Sequence, residues 1–128
     1  MKTIEVVAAI IMNDNKILTT RRGYGECMNM WEFPGGKMEL EETKEEALIR
    51  EIKEELELDI EVSQFITTVD YDYPNFHLKM HCFWCEVISG NLVLKEHEAA
   101  KWLGKEDIDT VAWLPADLEI VEIIKRAV

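Results

Sequence analysis

Residues 36–58 read GKMELEETKEEALIREIKEELEL, and this segment alone holds nine glutamates. Thr43 followed by Glu46 is the capping-box pattern that begins a helix, because each side chain can bond the other residue's backbone N–H. The residues that follow favour helix, and four apolar side chains recur on one face of it: Ala47, Leu48, Ile52 and Leu56. The segment therefore predicts an amphipathic helix from Thr43 to about Leu56, with its apolar face turned inward.

Glu54 and Glu55 follow Glu51 at spacings of three and four, which places three carboxylates on one side of the predicted helix. Like charges at these spacings repel one another. Arg50 alone cannot neutralise them, whereas a hard divalent cation with oxygen ligands can. Gly36 would let a backbone carbonyl approach the same ion without a side chain in the way. Charge alone also allows a solvated acidic face that binds nothing, so both interpretations stay open at this point.

The spacing of these residues resembles the Nudix box, G-x5-E-x7-R-E-U-x-E-E-x-G-U, in which U is an aliphatic residue. The matching positions are Gly36, Glu42, Arg50, Glu51, Ile52, Glu54, Glu55 and Leu58. The one departure is Glu57, which stands where the box has its last glycine and concerns the turn after the helix. Outside the box, the chain resembles the MutT branch of this family at residues 4–22, 31–37, 71–78 and 114–117.

The resemblance implies a Nudix fold over residues 1–128 as a single domain, an α/β fold in which a mixed β-sheet is sandwiched between α-helices. It also implies a magnesium-dependent hydrolase, with manganese as a substitute. The metal ligands implied by the resemblance are Glu51, Glu54, Glu55, the Gly36 carbonyl and Glu96, with Glu98 as a rival for the last. Arg50 and Glu42 resemble the pair that orients the catalytic helix. Glu51 or Glu54 is the candidate general base.

MutT-like enzymes cleave nucleoside triphosphates to the monophosphate and pyrophosphate, and some act on 8-oxo-dGTP to keep oxidised guanine out of DNA. A sister branch prefers CTP and modified deoxycytidine triphosphates. We therefore expect a pyrophosphohydrolase that favours 8-oxo-dGTP, with CTP, dCTP or 5-methyl-dCTP as the alternative substrates. Another nucleoside-diphosphate-linked substrate ranks below these. A nucleotide-binding module without activity ranks last, since a pure binder has no need of a full set of metal ligands.

Four residues are candidates for substrate binding on the same resemblance: Arg22, Phe33, Tyr73 and Asp117. Asp117 falls where MutT has an asparagine that reads oxidised guanine. An amide donates to O6 and accepts from N7–H, whereas an ionised aspartate only accepts and suits the amino group of cytosine. A raised pKa would restore a donor to Asp117. The alternatives are core positions for Phe33 and Tyr73, a surface cation at Arg22, and a helix N-terminal carboxylate at Asp117.

Charge and composition limit the partners and the compartment. The net charge of −12 argues against a nucleic-acid polymer, which a basic surface would bind. No apolar run is long enough to span a membrane, and the N-terminus has no signal-peptide pattern. An odd number of cysteines then indicates a reducing compartment, which we take to be the cytoplasm. The partner expected is a nucleotide, and the chain is compatible with a monomer or a homodimer.

The remaining pattern predicts a mixture of strands and a second helix. Cys82 and Cys85 are three residues apart in a predicted strand, so they should face opposite sides of it as core residues. His77, His81 and His97 show no ligand spacing and are expected in structural or surface roles. The predicted elements are strands at 3–12, 16–20, 31–33, 61–73, 77–88 and 99–103, a loop at 23–29, a break at 34–36, and a C-terminal helix at 115–126.

Overall fold

Seven strands and two α-helices build the part of the chain that the computed structural model describes, namely residues 1–23, 25 and 27–127. The strands are β1 (Lys2–Asn13), β2 (Lys16–Arg22), β3 (Trp31–Glu32), β4 (Gly35–Lys37), β5 (Asp59–Tyr73), β6 (Phe76–Ser89) and β7 (His97–Leu103). The helices are α1 (Lys44–Leu56) and α2 (Leu118–Ala127), and short 3₁₀ turns occupy Ile108–Thr110 and Pro115–Asp117.

The first strand, β1, is the centre of the sheet. It pairs in parallel with β6, from Lys2 opposite Phe76 to Ile11 opposite Cys85, and antiparallel with β2 and β4. β5 and β6 form a long antiparallel hairpin, and β7 pairs with β2. The strand order is β3-β2-β1-β6-β5, with β4 and β7 attached to β1 and β2. One parallel pairing among antiparallel ones makes the sheet mixed, as expected.

Alternate residues of β1 separate two hydrophobic cores, one on each face of the sheet. Val7, Ala9 and Ile11 pack with the four predicted apolar residues of α1. Ala8 and Ile10 pack on the other face with the buried residues of α2, which are Ile120, Val121 and Ile124. Burying each of the larger aliphatic side chains contributes roughly 1.5–3 kcal/mol. Helices on both faces confirm the predicted α/β/α arrangement.

The two β6 cysteines lie in different cores, as their spacing predicted. Cys82 belongs to the α2 side and Cys85 to the α1 side, and both are buried. Burial raises the pKa of the Cys85 thiol to about 12 and raises that of Cys82 as well. Both thiols are therefore protonated core side chains.

The ends of α1 follow the sequence pattern at the start and depart from it at the finish. The Thr43 hydroxyl accepts a hydrogen bond from the Glu46 N–H (3.1 Å), and the Glu46 carboxylate accepts one from the Thr43 N–H (2.9 Å). This confirms the capping box. At the other end Glu57 has φ of 57°, a left-handed conformation that glycine adopts without strain. A side chain there costs roughly 1 kcal/mol.

Two predicted elements were wrong in detail. Residues 34–36 were expected to break the strand, but β4 pairs with β1 at Gly35–Lys37. Glycine permits this pairing, because a side chain at Gly35 would collide with the Val7 carbonyl. The C-terminal helix was predicted from Pro115, but its first residues form a 3₁₀ turn. The Asp117 N–H donates to the Leu114 carbonyl three residues earlier (2.9 Å), and α2 begins only at Leu118.

The strand boundaries differ from those expected by at most two residues, as at the start of β7. That strand begins at His97 rather than Ala99, since an extra residue in β7, Glu98, lets Arg22 pair with His97. The predicted loop at 23–29 includes Tyr24 and Glu26, which lie outside the described residues. Within the described residues, no helix is long and apolar enough to cross a membrane.

Candidate active site

A cavity of about 480 Å³ opens between the end of β4, helix α1 and the turn before α2. The predicted metal ligands and substrate-binding residues line it, except for Glu54 and the rival ligand Glu98. Arg50 and its partner Glu42 also lie outside the lining. Two groups of side chains, in or next to this cavity, differ in their chemistry. We call Glu51, Glu54, Glu55 and Glu96 the acidic cluster. We call Phe33, Tyr73, Phe76 and Asp117 the aromatic pocket.

Arg50 fastens the first turns of α1 to the preceding loop. Its guanidinium donates to both carboxylate oxygens of Glu42, at 2.6 and 2.8 Å, and to the Lys37 carbonyl at 3.0 Å. Such two-point, charge-assisted bonds are the strong ones. Hydrogen bonds from Arg50 lower the pKa of the Glu42 carboxyl to about 2. Arg50 also donates to Glu51 at 2.9 Å, so it sets the position of that carboxylate.

Glu51 lies directly over Gly36. A side chain at Gly36 would collide with the Glu51 carboxylate, so only glycine fits the approach of β4 to α1. The Glu51 side chain is 13% exposed, and burial raises the pKa of its carboxyl although Arg50 opposes the rise. The predicted pairing of Gly36 with the acidic helix is thus a close physical contact.

Glu55 and Glu96 meet on the other side of the acidic cluster. Backbone bonds from Val93 to Leu56 (3.0 Å) and from Lys95 to Glu55 (3.3 Å) bring this segment against the end of α1. Burial, followed by the negative charge of Glu96, raises the pKa of Glu55. One Glu55 oxygen, Oε2, is buried and has no hydrogen-bond partner among the described residues. Buried polar atoms are nearly always paired, so this oxygen is free to accept a water or a cation.

The acidic cluster fits a hard divalent cation by its donors, which are all oxygens carrying excess negative charge. Its geometry is only partly assembled. Glu54 is 56% exposed, pairs with Arg50 at 3.3 Å and lies outside the cavity lining. Among the described residues, no three acidic, histidine or cysteine side chains already converge as a metal centre. The fit therefore rests on the Glu51–Gly36 contact and on the unpartnered oxygen of Glu55.

The aromatic pocket has walls that also belong to the core. Phe33 is buried and stacks on Trp113, with ring centroids 4.6 Å apart. Tyr73 stacks on Phe76 at 5.2 Å, and its hydroxyl accepts a hydrogen bond from the Ala116 N–H at 3.3 Å. Both predicted aromatic residues thus line the cavity and pack structurally at the same time. A flat apolar wall of this kind suits a planar ring.

Asp117 faces the cavity from the 3₁₀ turn and is only 3% exposed. The Phe33 backbone N–H donates to its carboxyl, which favours the ionised form. Burial and the nearby charge of Glu32 act more strongly, and they raise the pKa of Asp117 well above its usual range. The raised pKa favours the neutral acid, which has one donor and one acceptor.

Glu32 and His97 are cavity residues that the sequence did not single out. Glu32 accepts two hydrogen bonds from Arg22, at 2.7 and 3.2 Å, and lies 3.4 Å from His97 Nε2. His97, expected in a structural or surface role, lines the cavity next to Glu96. The sequence did contain one sign of Glu32, namely a charged residue between two aromatic residues. The position of His97 follows from the strand register, which places it beside Arg22.

The other histidines and the rival glutamate lie elsewhere. His81 is buried between Thr68 and Glu5, at 2.8 and 2.6 Å, and His77 binds surface aspartates. Glu98 pairs with Arg21 at 3.2 Å and is not part of the cavity lining, which favours Glu96 over Glu98 as the further acidic residue.

The proteins that this chain resembles in sequence and in structure belong to one family. The NUDIX domain matches residues 2–123. The chain is 35% identical over 123 residues to the CTP pyrophosphohydrolase of Escherichia coli K12, covering 95% of this chain and 91% of that protein. It is 30% identical over 128 residues to the 8-oxo-dGTP diphosphatase of the same strain, covering 98% and 99%. A solution structure of MutT, a Nudix hydrolase from methicillin-resistant Staphylococcus aureus 252, is 38% identical, with full coverage of both chains and a TM-score of 0.78.

Gly36, Glu51 and Glu55 line one cavity, and the Glu42–Arg50 pair holds Glu51 from outside its lining, in a fold shared with MutT proteins. Hydrolases with this domain generally use divalent metal ions. The chain therefore belongs to the Nudix hydrolase family, and it is an enzyme that acts on acid anhydrides.

Proposed function

We propose that the enzyme hydrolyses nucleoside triphosphates to the monophosphate and pyrophosphate, with Mg²⁺ as its cation and Mn²⁺ as a substitute. The favoured substrate is 8-oxo-dGTP, and the role is removal of oxidised guanine from the cytoplasmic nucleotide pool. One observation carries the proposal. A single cavity joins the acidic cluster, suited to a cation and a polyphosphate, to the aromatic pocket, suited to a base.

The acidic cluster and the Gly36 carbonyl would hold the cation. When bound, it supplies charge neutralisation at the phosphate oxygens and makes a nearby water more acidic. Arg50 fixes Glu51 on α1, and Glu51 or Glu54 accepts the proton of the attacking water. Water adds to one phosphorus, the bridging P–O bond breaks, and the leaving phosphate oxygen takes the electron pair. Arg22 lines the cavity and supplies a positive charge for binding the nucleotide.

The aromatic pocket supports the preference for oxidised guanine. Phe33 and Tyr73 provide apolar surface for the ring, and Asp117 provides the polar edge. A neutral carboxyl donates to O6 of 8-oxoguanine and accepts from its N7–H. Unmodified guanine presents two acceptors, O6 and N7, on this edge. Asp117 in its neutral form then makes two hydrogen bonds to the oxidised base and only one to the normal base.

Cytidine triphosphates are the second candidate substrates, and one observation favours them. A neutral Asp117 also matches cytosine, since it donates to the ring N3 and accepts from the amino group. The relative with 35% identity is a CTP pyrophosphohydrolase, which is more similar to this chain than the 8-oxo-dGTP diphosphatase with 30%. The volume of the cavity suits a single nucleotide, which ranks larger dinucleotide substrates lower.

The test is a nucleotide panel with product identification. The purified protein is incubated with Mg²⁺ and 8-oxo-dGTP, dGTP, CTP, dCTP or 5-methyl-dCTP, and products are resolved by anion-exchange chromatography. We expect monophosphate and pyrophosphate, with the highest kcat/KM on 8-oxo-dGTP. Highest activity on a cytidine nucleotide would transfer the function to the second candidate. No turnover of any nucleotide with either Mg²⁺ or Mn²⁺ would overturn the proposal.

A further inference from the structure

Glu32 occupies a fixed position at the edge of the aromatic pocket. It pairs with Thr20 in the β2–β3 ladder, and its carbonyl accepts a hydrogen bond from the Thr19 hydroxyl at 2.9 Å. Its side chain is 17% exposed and lines the cavity. A carboxylate held at a fixed position in a cavity interacts electrostatically with the charged groups beside it.

The neighbours of Glu32 keep it ionised. Burial alone would raise the pKa of its carboxyl, but hydrogen bonds from His97 and Arg22 outweigh burial and lower it. The Arg22 guanidinium spans both Glu32 oxygens, at 2.7 and 3.2 Å. Glu32 therefore brings a negative charge into the cavity, and it also engages the positive charge of Arg22.

Asp117 lies in the field of that pair. The Asp117 carboxyl accepts a hydrogen bond from the backbone N–H of Phe33, the residue that follows Glu32. Four titratable side chains act on Asp117 or feel its charge: Glu32, Arg22, Tyr73 and Cys82. The pKa values of Tyr73 and Cys82 are raised, so both are neutral and add no charge. After burial, the charges that decide the state of Asp117 are those of Glu32 and Arg22, and they act in opposite directions.

We infer that Glu32 is a positioning residue for specificity, whose charge holds Asp117 in the neutral form that both donates and accepts a hydrogen bond. This inference rests on the proposed function, because it assumes that Asp117 reads the base. It adds a consequence that the proposed function lacks. The enzyme loses its two-bond recognition of the base as pH rises and Asp117 ionises. Above that midpoint KM rises about tenfold per pH unit, with kcat much less affected.

The first experiment measures Asp117 directly, without substrate. Protein labelled with ¹³C at aspartate carboxyls is titrated by NMR, and the Asp117→Asn variant assigns the signal. We expect Asp117 to titrate far above the other aspartates. In Glu32→Gln the midpoint falls, because the negative charge is lost and Arg22 is released. In Arg22→Gln the midpoint rises. Opposite shifts are a result that a purely structural role for Glu32 does not produce.

Two further variants serve as controls. Glu32→Asp keeps the charge and should retain a high midpoint, which rescues the effect. Glu106→Gln makes the same chemical change at an exposed position outside the cavity lining and should leave the Asp117 midpoint unchanged. If Glu32→Gln does not fold, Arg22→Gln and Glu32→Asp still decide the matter. An unchanged midpoint in Glu32→Gln, or an unchanged midpoint in Arg22→Gln, overturns the inference.

The second experiment follows KM for 8-oxo-dGTP and CTP across pH in the same variants. The rise of KM at high pH should move to lower pH in Glu32→Gln and vanish in Asp117→Asn. A rise that persists in Asp117→Asn contradicts the inference even when the enzyme is active. Absence of turnover contradicts the proposed function instead, and the NMR titration then still reports whether Glu32 controls Asp117.

Discussion

The acidic cluster and the aromatic pocket face the same cavity, but the chain builds them in opposite ways. Three members of the acidic cluster come from five consecutive residues, 51–55, so the pitch of one helix sets their spacing. The aromatic pocket takes Phe33, Tyr73 and Asp117 from three distant segments that only the sheet brings together. The carboxylates that the family shares are thus set by residues close together in the sequence. Under the proposed function, base preference depends on long-range packing instead, so we expect single substitutions in the aromatic pocket to change it without altering α1.

The largest effect that this contrast predicts is a loss of turnover for every substrate alike. Glu51→Gln keeps the shape of the side chain but removes the charge that faces Gly36 and Arg50. We expect kcat to fall by roughly 10²–10⁴-fold on 8-oxo-dGTP and CTP to the same extent. Steady-state kinetics with each nucleotide measures this. Glu45→Gln, on the exposed face of α1, is the matched control and should stay active.

Glu54→Gln tests whether Glu54 takes part in the chemistry of the acidic cluster. Glu54 is exposed and lies outside the cavity lining, although the family pattern makes it a ligand. We expect a loss of roughly 10²-fold or more in kcat with the fold intact, checked by circular dichroism. Activity close to that of the unmodified enzyme would show that this carboxylate is only a partner for Arg50, and the metal site would then have to be placed without it.

The next largest effect lies in the aromatic pocket, and it should differ between substrates. Asp117→Leu removes both the donor and the acceptor, so kcat/KM on the preferred nucleotide should fall by roughly 10- to 100-fold. Asp117→Asn keeps one donor and one acceptor and should retain activity within a few-fold at neutral pH. Equal losses on all nucleotides, in both variants, would mean that Asp117 supports the fold and reads no base.

A smaller effect is expected at Tyr73, which supports the turn that carries Asp117. Tyr73→Phe removes the hydroxyl that accepts from the Ala116 N–H. A lost hydrogen bond of this type is worth about 1 kcal/mol, so KM should rise about fivefold while kcat holds. Tyr71→Phe is the control, since the Tyr71 ring contacts Tyr73 at a tilted angle and lies outside the cavity lining. A change in kcat rather than KM would argue against a role confined to base binding.

The same contrast explains what the sequence predicted and what it did not. Helix α1, its capping box and the Glu42–Arg50 pair follow from residues close together in the chain, so spacing alone located them. Glu32 and His97 were missed, because their meeting depends on the bulge in β7 opposite Arg21–Arg22 and on pairing across β2. The strand at β4 was missed for a similar reason. Glycines signal a break locally, whereas here they allow close approach to β1.

The smallest expected effect tests Glu57, the one position where the chain departs from the Nudix box. Its left-handed φ of 57° is strained for a residue with a side chain, and its carboxylate lies 3.0 Å from Lys95 Nζ on the surface. Glu57→Gly relieves the strain and loses only a weak surface pair. We expect a net gain of about 0.5–1 kcal/mol in the free energy of unfolding, or roughly 2–4 °C in Tm, with kcat unchanged. Urea unfolding measures it, and Glu57→Ala, which loses the ion pair but keeps the strain, should show no gain. Equal stability of the Gly and Ala variants would mean that the turn after α1 tolerates a side chain without strain, and that the box glycine is not needed there for conformation.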